Sequence, residues 1–282
     1  MYGLVGDPVD HSISPAIQNA AFRSEGIDAV YVPFHVKPQG LRAAIQGLRA
    51  LEVKGFNVTA PHKVQVVKYL DKIESSADTI GSVNTVINES GEFCGYNTDG
   101  VGSLKALEEA DASPDGKSVL IFGAGGASRA IAYTLAQHAS SIRLVNRTIA
   151  KAKELAGRLQ MKRDVNVVYA SLSSKLLREF VEQADIVVNA SSMGMDGKAN
   201  LPIEAEWLRS DQCIFDIVYK PPQTRVLEFA GLVGAKMVNG LDMLINQGAC
   251  TFELWTGRKA PILDMRHATA QELLAIERAE SS

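Results

Sequence analysis

Residues 118–138 read SVLIFGAGGASRAIAYTLAQH, and they decide the fold because an apolar strand pattern gives way to a helical pattern across a glycine-rich turn. A dinucleotide-binding fingerprint requires this order of strand, turn and helix. Gly123 permits the tight turn, Gly125 lets the backbone approach a pyrophosphate, and Ser128 stands where glycine or alanine is usual. The N–H groups that begin the helix favour an anion. The stretch therefore predicts a nucleotide site, although glycines in such a turn also occur for packing alone.

The next predicted strand, 142–145, is followed by Asn146, Arg147 and Thr148, where dinucleotide folds place the residue that meets the adenosine ribose. An acidic residue there would bind the 2′-hydroxyl of NAD, whereas a guanidinium binds a 2′-phosphate through paired, charge-assisted hydrogen bonds. Arg147 and Lys151 put two cations at a helix start, which the helix dipole opposes unless an anion binds. We therefore expect NADP as the cofactor; the alternative is an ordinary solvated helix start.

Short apolar runs alternate with amphipathic stretches along the whole chain, which is typical of an α/β fold. The predicted strands are 2–5, 29–34, 55–58, 83–88, 118–122, 142–145, 166–169, 186–189 and 213–216. The predicted helices are 15–25, 41–50, 127–137, 150–159 and 173–183. Ser14 and Pro15 suit the N-cap and first turn of the first helix.

The composition describes a globular chain. Its 282 residues are 46% hydrophobic and 22% charged, and at about 150 residues per domain this length predicts two domains. The net charge of −3 gives no overall positive field, so we expect neither a nucleic-acid nor a membrane partner. Cys94, Cys213 and Cys250 show no paired spacing and predict neither a disulfide framework nor a metal site. Without a signal sequence or an apolar run of about 18 residues, we expect a cytoplasmic protein.

Two segments indicate where the domains meet. The polar, turn-forming residues 110–116 precede the strand 118–122, so a new domain should start near them. After about Gly240, the sequence looks like a loop that feeds a long helix outside that sheet. We expect a mixed-sheet α/β domain of residues 1–101 plus 241–282 and a Rossmann-like dinucleotide-binding domain of residues 102–240.

Polar residues of the amino-terminal half collect at strand and helix junctions. HSISP at 11–15 places Ser12 and Ser14 at the mouth of a helix, where hydroxyls beside N–H groups suit a carboxylate or phosphate; the alternatives are a helix cap and a loop residue. Open α/β sheets gather ligand-binding groups after their strands. A site for a small polyhydroxylated acid is therefore predicted from Ser12, Ser14, Thr59, Lys63, Asn84 and Asp99.

Lys63 is the candidate for proton transfer. It follows Pro61 in what should be the first turn of a helix, where the helix dipole favours a neutral amine over an ammonium. His62 is a rival base that we weigh lower because the adjacent side chain should point elsewhere, and a solvated surface lysine is the plain alternative. Asp99, in GYNTDG, is either a ligand-binding group or a helix N-cap.

Taken in order, HSISP, GFNVTAPHK, GSVNT, GYNTDG, GAGGASRA, NRT, NGLDML and NQGA resemble the shikimate dehydrogenase family over nearly the whole chain. The resemblance implies a substrate-binding catalytic domain formed from both chain ends and a central NADP-binding domain. It implies a reversible reduction of 3-dehydroshikimate to shikimate with NADPH in aromatic amino acid biosynthesis. The protein would be a monomer or homodimer whose partner is a small-molecule substrate, and it would hold no metal.

The resemblance also implies residue roles. Lys63 would donate the proton to the alkoxide that forms as the C3 ketone is reduced, and Asp99 would orient the substrate. Substrate-binding residues would be Ser12, Ser14, Thr59, Asn84, Asp99, Tyr219 and Gln247. Cofactor-binding residues would be Gly123, Ala124, Gly125, Gly126 and Ala127 at the pyrophosphate, Asn146, Arg147, Thr148 and Lys151 at the adenosine phosphate, and Ile217 and Gly240 near the nicotinamide.

Some residues depart from the family pattern. Gln18 stands where histidine is usual after HSxSP, and Lys151 replaces a frequent arginine. The alternatives are a quinate or shikimate/quinate dehydrogenase of broader specificity, a related dehydrogenase such as the methylene-folate type, and a non-catalytic ligand sensor. Lys63 and Asp99 together argue against the sensor, because sensing needs affinity without a proton donor.

Overall fold

The computed structural model describes residues 1–162, 165–195 and 199–280. It divides the chain into two compact units, one of Met1–Thr98 with Leu244–Ser282 and the other of Asp99–Met243. Each unit is an α/β unit built on one sheet, so the predicted fold class is confirmed. None of the described helices is long and apolar enough to cross a membrane.

The bounds of the regular elements follow in chain order. The strands are β1 (Tyr2–Gly6), β2 (Tyr31–His35), β3 (Gly55–Val58), β4 (Lys72–Ile73), β5 (Thr85–Glu89), β6 (Glu92–Tyr96), β7 (Ser118–Phe122), β8 (Ser141–Asn146), β9 (Asn166–Ser171), β10 (Ile186–Asn189), β11 (Cys213–Asp216) and β12 (Lys236–Val238). The helices are α1 (Ser14–Ser24), α2 (Leu41–Ala50), α3 (Ser75–Ile80), α4 (Asp99–Glu109), α5 (Gly126–Leu135), α6 (Ile149–Lys162), α7 (Leu177–Gln183), α8 (Arg225–Val233), α9 (Gly240–Thr256) and α10 (Ile262–Glu280).

The first unit contains a mixed sheet in the order β2-β1-β3-β5-β6-β4. β1 runs parallel to β2 and β3, whereas β5 is antiparallel to β3 and to β6. Ser90 and Gly91 have φ of 55° and 98°, and positive φ at both positions is what a tight hairpin turn between β5 and β6 requires. Because of this hairpin, the start of β5 and the end of β6 lie at the same sheet edge as the carboxyl ends of β1 and β3.

The second unit contains a parallel sheet in the order β12-β11-β10-β7-β8-β9. Read from β9, this is the doubly wound dinucleotide-binding order, whose switch point lies between β7 and β10. The sheet is buried on both faces, since Val119 and Ile121 of β7 pack in one apolar cluster and Leu120 and Phe122 in another. Ligands of such sheets bind beyond the carboxyl ends of the strands at the switch point.

The second unit begins before the polar segment 110–116, where the sequence predicts the start of a new domain. The reason is α4, which packs on α5 so closely that a Cβ added to Gly100 would lie 2.1 Å from the Thr134 hydroxyl oxygen. A close glycine contact of this kind leaves no signal in the hydropathy pattern. From the sequence alone, the turn residues that follow α4 are therefore taken as the domain boundary.

Candidate functional site

Ser12 and Ser14 follow β1, at the edge of the first sheet described above. Ser14 is the first residue of α1, and the N-cap position is Ile13, whose side chain makes no capping bond. The expectation that Ser14 is the N-cap is therefore wrong. Instead the Ser12 hydroxyl accepts a hydrogen bond from the Ser14 N–H at 3.3 Å. This bond fixes the loop against the start of the helix and places two hydroxyls beside its N–H groups.

Thr59 follows β3 and touches the end of β1. Its N–H donates to the Val5 carbonyl at 2.9 Å, and a Cβ added to Gly6 would lie 2.3 Å from the Thr59 methyl carbon. β1 and β3 are adjacent parallel strands. The loop that carries Ser12 and the loop that carries Thr59 therefore leave the sheet side by side.

Lys63 lies in a turn that precedes a short 3-10 helix, Val66–Tyr69. The expectation that it occupies the first turn of an α-helix is wrong, and the helix-dipole argument for its amine fails with it. The turn closes on itself, because the His62 N–H donates to the Thr59 carbonyl and the Val66 N–H to the His62 carbonyl, both at 2.9 Å. The Lys63 carbonyl accepts from the Val83 N–H at 2.8 Å. Its backbone is thus tied to the segment that enters β5.

His62 is an anchor for this turn. Its side chain is buried at 1% exposure, and its Nε2 lies 2.5 Å from the Val36 carbonyl oxygen. A ring nitrogen that faces a carbonyl must carry a proton and donate it. That nitrogen cannot accept a proton from a substrate, so Lys63 keeps its place ahead of His62 as the candidate for proton transfer.

Asn84 and Gln247 are brought together although 163 positions separate them in the chain. The Asn84 Nδ2 donates to the Gln247 Oε1 at 3.3 Å and to the Thr98 hydroxyl at 2.9 Å, while its Oδ1 accepts from the Thr98 N–H at 2.8 Å. Asn84 lies directly before β5, not after a strand as predicted. It still reaches the shared edge because β5 runs antiparallel to β3.

Buried polar groups behind Asn84 support it through hydrogen bonds. The sequence analysis did not assign these supporting groups to the site. The Asn57 Nδ2 donates to the Asn84 carbonyl at 3.0 Å and the Thr251 hydroxyl at 3.3 Å, and its Oδ1 accepts from the Tyr31 hydroxyl at 3.0 Å. Burial raises the pKa of Tyr31 well above its ordinary value, so the phenol stays a donor. Thr251 follows Gln247 by four residues on α9, and this helical spacing was the available signal.

Asp99 and Tyr219 belong to the second unit. Asp99 directly follows Thr98, is 3% exposed and is the first residue of α4. Tyr219 is half-buried in the segment after β11. The first unit holds the other predicted substrate-binding residues, which are Ser12, Ser14, Thr59, Asn84 and Gln247, together with Lys63.

The glycine-rich turn of the second unit fits a pyrophosphate. Gly123 has a φ of 117°, a backbone conformation that favours glycine, and a Cβ there would lie 2.7 Å from the Ala190 carbonyl oxygen. A Cβ added to Gly125 would meet no atom within 4 Å, so the turn leaves open space at the start of α5. The Ser128 hydroxyl donates to the Ala190 carbonyl at 2.8 Å, which explains a serine at the third fingerprint position.

The segment after β8 presents cations to solvent. Arg147, Thr148 and Lys151 are exposed, and Asn146 donates through Nδ2 to the Thr148 carbonyl at 2.9 Å. α6 carries no acidic residue in its first turn. An exposed guanidinium and ammonium at a helix start suit a phosphate monoester.

Ile217 and Gly240 are packed together in the second unit. A Cβ added to Gly240 would lie 2.1 Å from the Ile217 carbonyl oxygen, so only glycine permits this approach. Ile217 directly follows β11 and Gly240 begins α9. Ile217 and Gly240, which the family resemblance assigns to the nicotinamide, therefore form one contact.

Three family models match the chain. They are the shikimate dehydrogenase substrate binding domain at residues 4–86, the shikimate / quinate 5-dehydrogenase model at residues 105–209, and the shikimate 5′-dehydrogenase C-terminal domain at residues 240–269.

Individual relatives match over nearly the full length. A shikimate dehydrogenase (NADP(+)) from Moorella thermoacetica is 46% identical over 94% of this chain and 90% of its own. A solved structure of a shikimate dehydrogenase in complex with NADP⁺ is 43% identical, with a TM-score of 0.88 over 96% of this chain and 94% of its own. A quinate dehydrogenase from Corynebacterium glutamicum in complex with NAD is 29% identical, with a TM-score of 0.88 over 96% of this chain and 98% of its own.

Proposed function

The chain belongs to the shikimate dehydrogenase family, and on that premise we propose how its residues reduce 3-dehydroshikimate to shikimate with NADPH. The chain is an NADP-dependent oxidoreductase of the shikimate pathway, and the reaction is reversible. The roles of individual residues are our assignment. They rest above all on one observation, that Thr59, Lys63, Asn84 and Gln247 are tied to the same edge of the first sheet.

We assign cofactor binding to the second unit. The open space at Gly125 and the N–H groups that begin α5 receive the pyrophosphate, together with Gly123, Ala124, Gly126 and Ala127. Arg147 and Lys151 bind the 2′-phosphate, with Asn146 and Thr148 completing the site, while Ile217 and Gly240 contact the nicotinamide. When bound, NADPH supplies the hydride for the C3 carbon of the substrate.

We assign substrate binding to the polar edge of the first unit. The hydroxyls of Ser12 and Ser14, beside the N–H groups that begin α1, receive the carboxylate. Thr59, Asn84 and Gln247 receive the ring hydroxyls. The Thr98 N–H binds the Asn84 Oδ1 and holds the side-chain amide in one orientation, while Asn57 holds the Asn84 backbone through its carbonyl. An amide fixed in this way binds a hydroxyl without losing side-chain freedom.

Lys63 is the proton donor in this assignment. A hydride added to the C3 carbon leaves negative charge on the ketone oxygen, and the Lys63 ammonium donates a proton to that oxygen. In the reverse direction the neutral amine accepts the proton from the C3 hydroxyl. Asp99 and Tyr219 orient the substrate, and His62 keeps the Lys63 turn in place through the Val36 carbonyl.

We assign shikimate rather than quinate as the substrate because the chain shares more of its sequence with a shikimate dehydrogenase than with a quinate dehydrogenase. The NADP-dependent shikimate dehydrogenase from Moorella thermoacetica shares 46% of its residues with this chain, against 29% for the quinate dehydrogenase. Quinate carries an extra hydroxyl where shikimate has a ring double bond, so a pocket for one need not accept the other.

The proposal also covers the location, the oligomeric state and the binding partners of the protein. We infer a cytoplasmic monomer or homodimer whose partners are its two small-molecule ligands, with no nucleic acid. The net charge of −3 supports the last point, because nucleic-acid binding rests on clustered positive charge. Light scattering on the purified chain distinguishes monomer from dimer.

A spectrophotometric assay with four substrate and cofactor pairs tests the function. Shikimate or quinate is combined with NADP⁺ or NAD⁺, and the formation of reduced nicotinamide is followed. We expect the highest kcat/KM for shikimate with NADP⁺. A higher value for quinate would transfer the assignment to quinate dehydrogenases, and shikimate binding without turnover of any pair would support the ligand sensor.

A further inference from the structure

The carboxyl ends of β10 and β11 are joined by a buried polar network to which the proposed function gives no role. Asn189 ends β10 and Asp216 ends β11, and their exposures are 1% and 0%. The Asn189 Nδ2 donates to the Asp216 Oδ1 at 2.9 Å. The pair therefore links two neighbouring parallel strands where they leave the sheet.

Asp216 fixes the segment that follows β11. Its Oδ1 accepts from the Val218 N–H at 2.9 Å, and its Oδ2 accepts from the Thr224 hydroxyl at 2.6 Å. Thr224 occupies the N-cap position of α8, yet its side chain makes no capping bond to that helix. A residue type that normally caps a helix instead binds Asp216, so residues 217–224 are held at both ends.

Asn189 fixes the segment that follows β10. Its Oδ1 accepts from the Ser191 N–H at 3.1 Å and the Ser191 hydroxyl at 2.7 Å, and its Nδ2 also donates to the Met193 carbonyl at 2.9 Å. The Ala190 carbonyl accepts from the hydroxyl of Ser128, in the first turn of α5 that follows the glycine-rich turn. The network is thus continuous with the turn that receives the pyrophosphate.

The network is built at an energetic cost. Burial raises the pKa of the Asp216 carboxyl, while the bonds from Thr224, Val218 and Asn189 act to lower it. All three donors are neutral groups, and a carboxylate buried among neutral partners is costly compared with apolar side chains in the same space. Because its burial is costly, we infer that Asp216 serves to fix the position of the segment after β11 rather than to stabilise the fold.

We propose that Asp216 is a positioning residue for the nicotinamide end of the cofactor, because it holds Ile217 and Tyr219 in place through the Val218 and Thr224 bonds. This inference rests on the proposed function, which gives those two residues their contacts. Ile217 has little freedom on its other side, since its carbonyl lies against Gly240. A shift of the segment would therefore move the nicotinamide contacts and leave the adenosine site after β8 unchanged.

The test uses Asp216→Asn, which keeps the side-chain shape and removes the charge. We expect kcat to fall about 10-fold to 10²-fold, the scale of a small misplacement of reacting groups. We expect the affinity for NADP⁺ to fall while the affinity for 2′,5′-ADP, which carries only the adenosine end, changes less than about twofold. Isothermal titration calorimetry gives both affinities without turnover.

Asp185→Asn is the matched control. Asp185 stands just before β10, at the end of that strand opposite Asn189, and its Oδ2 accepts from the Ser118 N–H at 2.7 Å and the Ser118 hydroxyl at 2.8 Å. It is a carboxylate with the same kind of partners but far from the proposed nicotinamide contacts. We expect this variant to lose stability and to keep kcat and both affinities.

Thr224→Val provides the same test if Asp216→Asn does not fold. It removes only the donor to Oδ2, so we expect a smaller loss of kcat in the same direction, and Thr224→Ser, which keeps the hydroxyl, should behave as the wild type. The proposal is overturned by a folded Asp216→Asn or Thr224→Val chain with wild-type kcat, or by equal losses of NADP⁺ and 2′,5′-ADP affinity. An inactive wild type would instead contradict the proposed function, and the two affinities would still decide the positioning role.

Discussion

Lys63 is held by its backbone on two sides, through the Thr59 turn and through the Val83 N–H. A lysine side chain has many rotamers, and fixing its base reduces the freedom that must be lost when its amine meets a substrate oxygen. The buried His62 ring anchors the same turn by donating a hydrogen bond to the Val36 carbonyl. The proposed proton donor therefore owes its backbone position to hydrogen bonds made by Lys63 and its neighbours.

Lys63→Met keeps the aliphatic stem and removes the amine. We expect kcat to fall on the order of 10²-fold to 10⁴-fold, the usual contribution of a positioned acid or base, with a smaller change in KM. Lys68→Met, an exposed lysine on the following 3-10 helix, is the control and should leave both constants unchanged. Steady-state kinetics with shikimate and NADP⁺ measures the effect. A raised KM with unchanged kcat would show that the amine only anchors the substrate.

Arg147 is expected to select NADP over NAD. Arg147→Ala should weaken NADP⁺ binding by about 1.5 to 3 kcal/mol, the scale of a hydrogen bond to a charged group, and leave NAD⁺ binding nearly unchanged. Lys153→Ala removes the same charge from an exposed position of α6 and should affect neither. Calorimetric titration with both cofactors provides the comparison, and equal losses for the two would show that Arg147 does not contact the 2′-phosphate.

Gly240 tolerates no side chain where it meets Ile217. In Gly240→Ala the new methyl group must displace the Ile217 backbone, so we expect a loss of about 1 to 3 kcal/mol in unfolding free energy and a lower kcat/KM. Gly157→Ala, inside α6 where a Cβ meets nothing within 4 Å, should raise stability by about 0.5 to 1 kcal/mol. Urea unfolding measures both. A Gly240→Ala chain as stable and active as the wild type would remove this glycine from the site.

The Asp185 carboxylate, just before β10, stabilises the second sheet in a pH-dependent way. Partial burial acts to raise the pKa of Asp185, but the bonds from the Ser118 N–H and hydroxyl, with the nearby Lys117 and Arg209, lower it overall. A carboxyl with a lowered folded-state pKa stabilises the fold above its unfolded pKa of about 3.9, and that contribution is lost as the pH falls through the folded value.

Asp185→Asn should therefore cost about 1 to 2 kcal/mol at pH 7, and its difference from the wild type should shrink between about pH 5 and pH 3. Urea unfolding of both chains across this range gives the difference directly. A difference that stays constant down to pH 3 would mean that the Asp185 charge does not contribute.

Local signals were sufficient for some elements and not for others. The turn at Gly123 and Gly125 was predictable because its glycines stand between a clear strand and a clear helix. β12 is three residues long and β4 two, too short for a hydropathy period to show. The helix expected at Lys63 is absent because the Thr59 and Val83 contacts hold the chain in a turn.

The folded chain shows why some residues of the polar network could not be predicted from the sequence. Tyr31, Asn57 and Thr251 come from β2, β3 and α9, and only the folded first unit joins them behind Asn84. Gln247 was assigned only through family resemblance, since no local pattern relates it to Asn84, 163 positions away in the chain. α9 contributes Gly240 to the second unit and Gln247 to the first, so this one helix supplies a residue to each of the two proposed ligand sites.

A crystal structure of the chain with shikimate and NADP⁺ bound tests the residue assignments in a single measurement. We predict the shikimate carboxylate at the Ser12 and Ser14 hydroxyls, the Lys63 amine within hydrogen-bond distance of the C3 hydroxyl, and the 2′-phosphate at Arg147. Shikimate bound away from the Asn84 and Gln247 amides, with no contact to Lys63, would show that the substrate site and the proton donor are wrongly assigned.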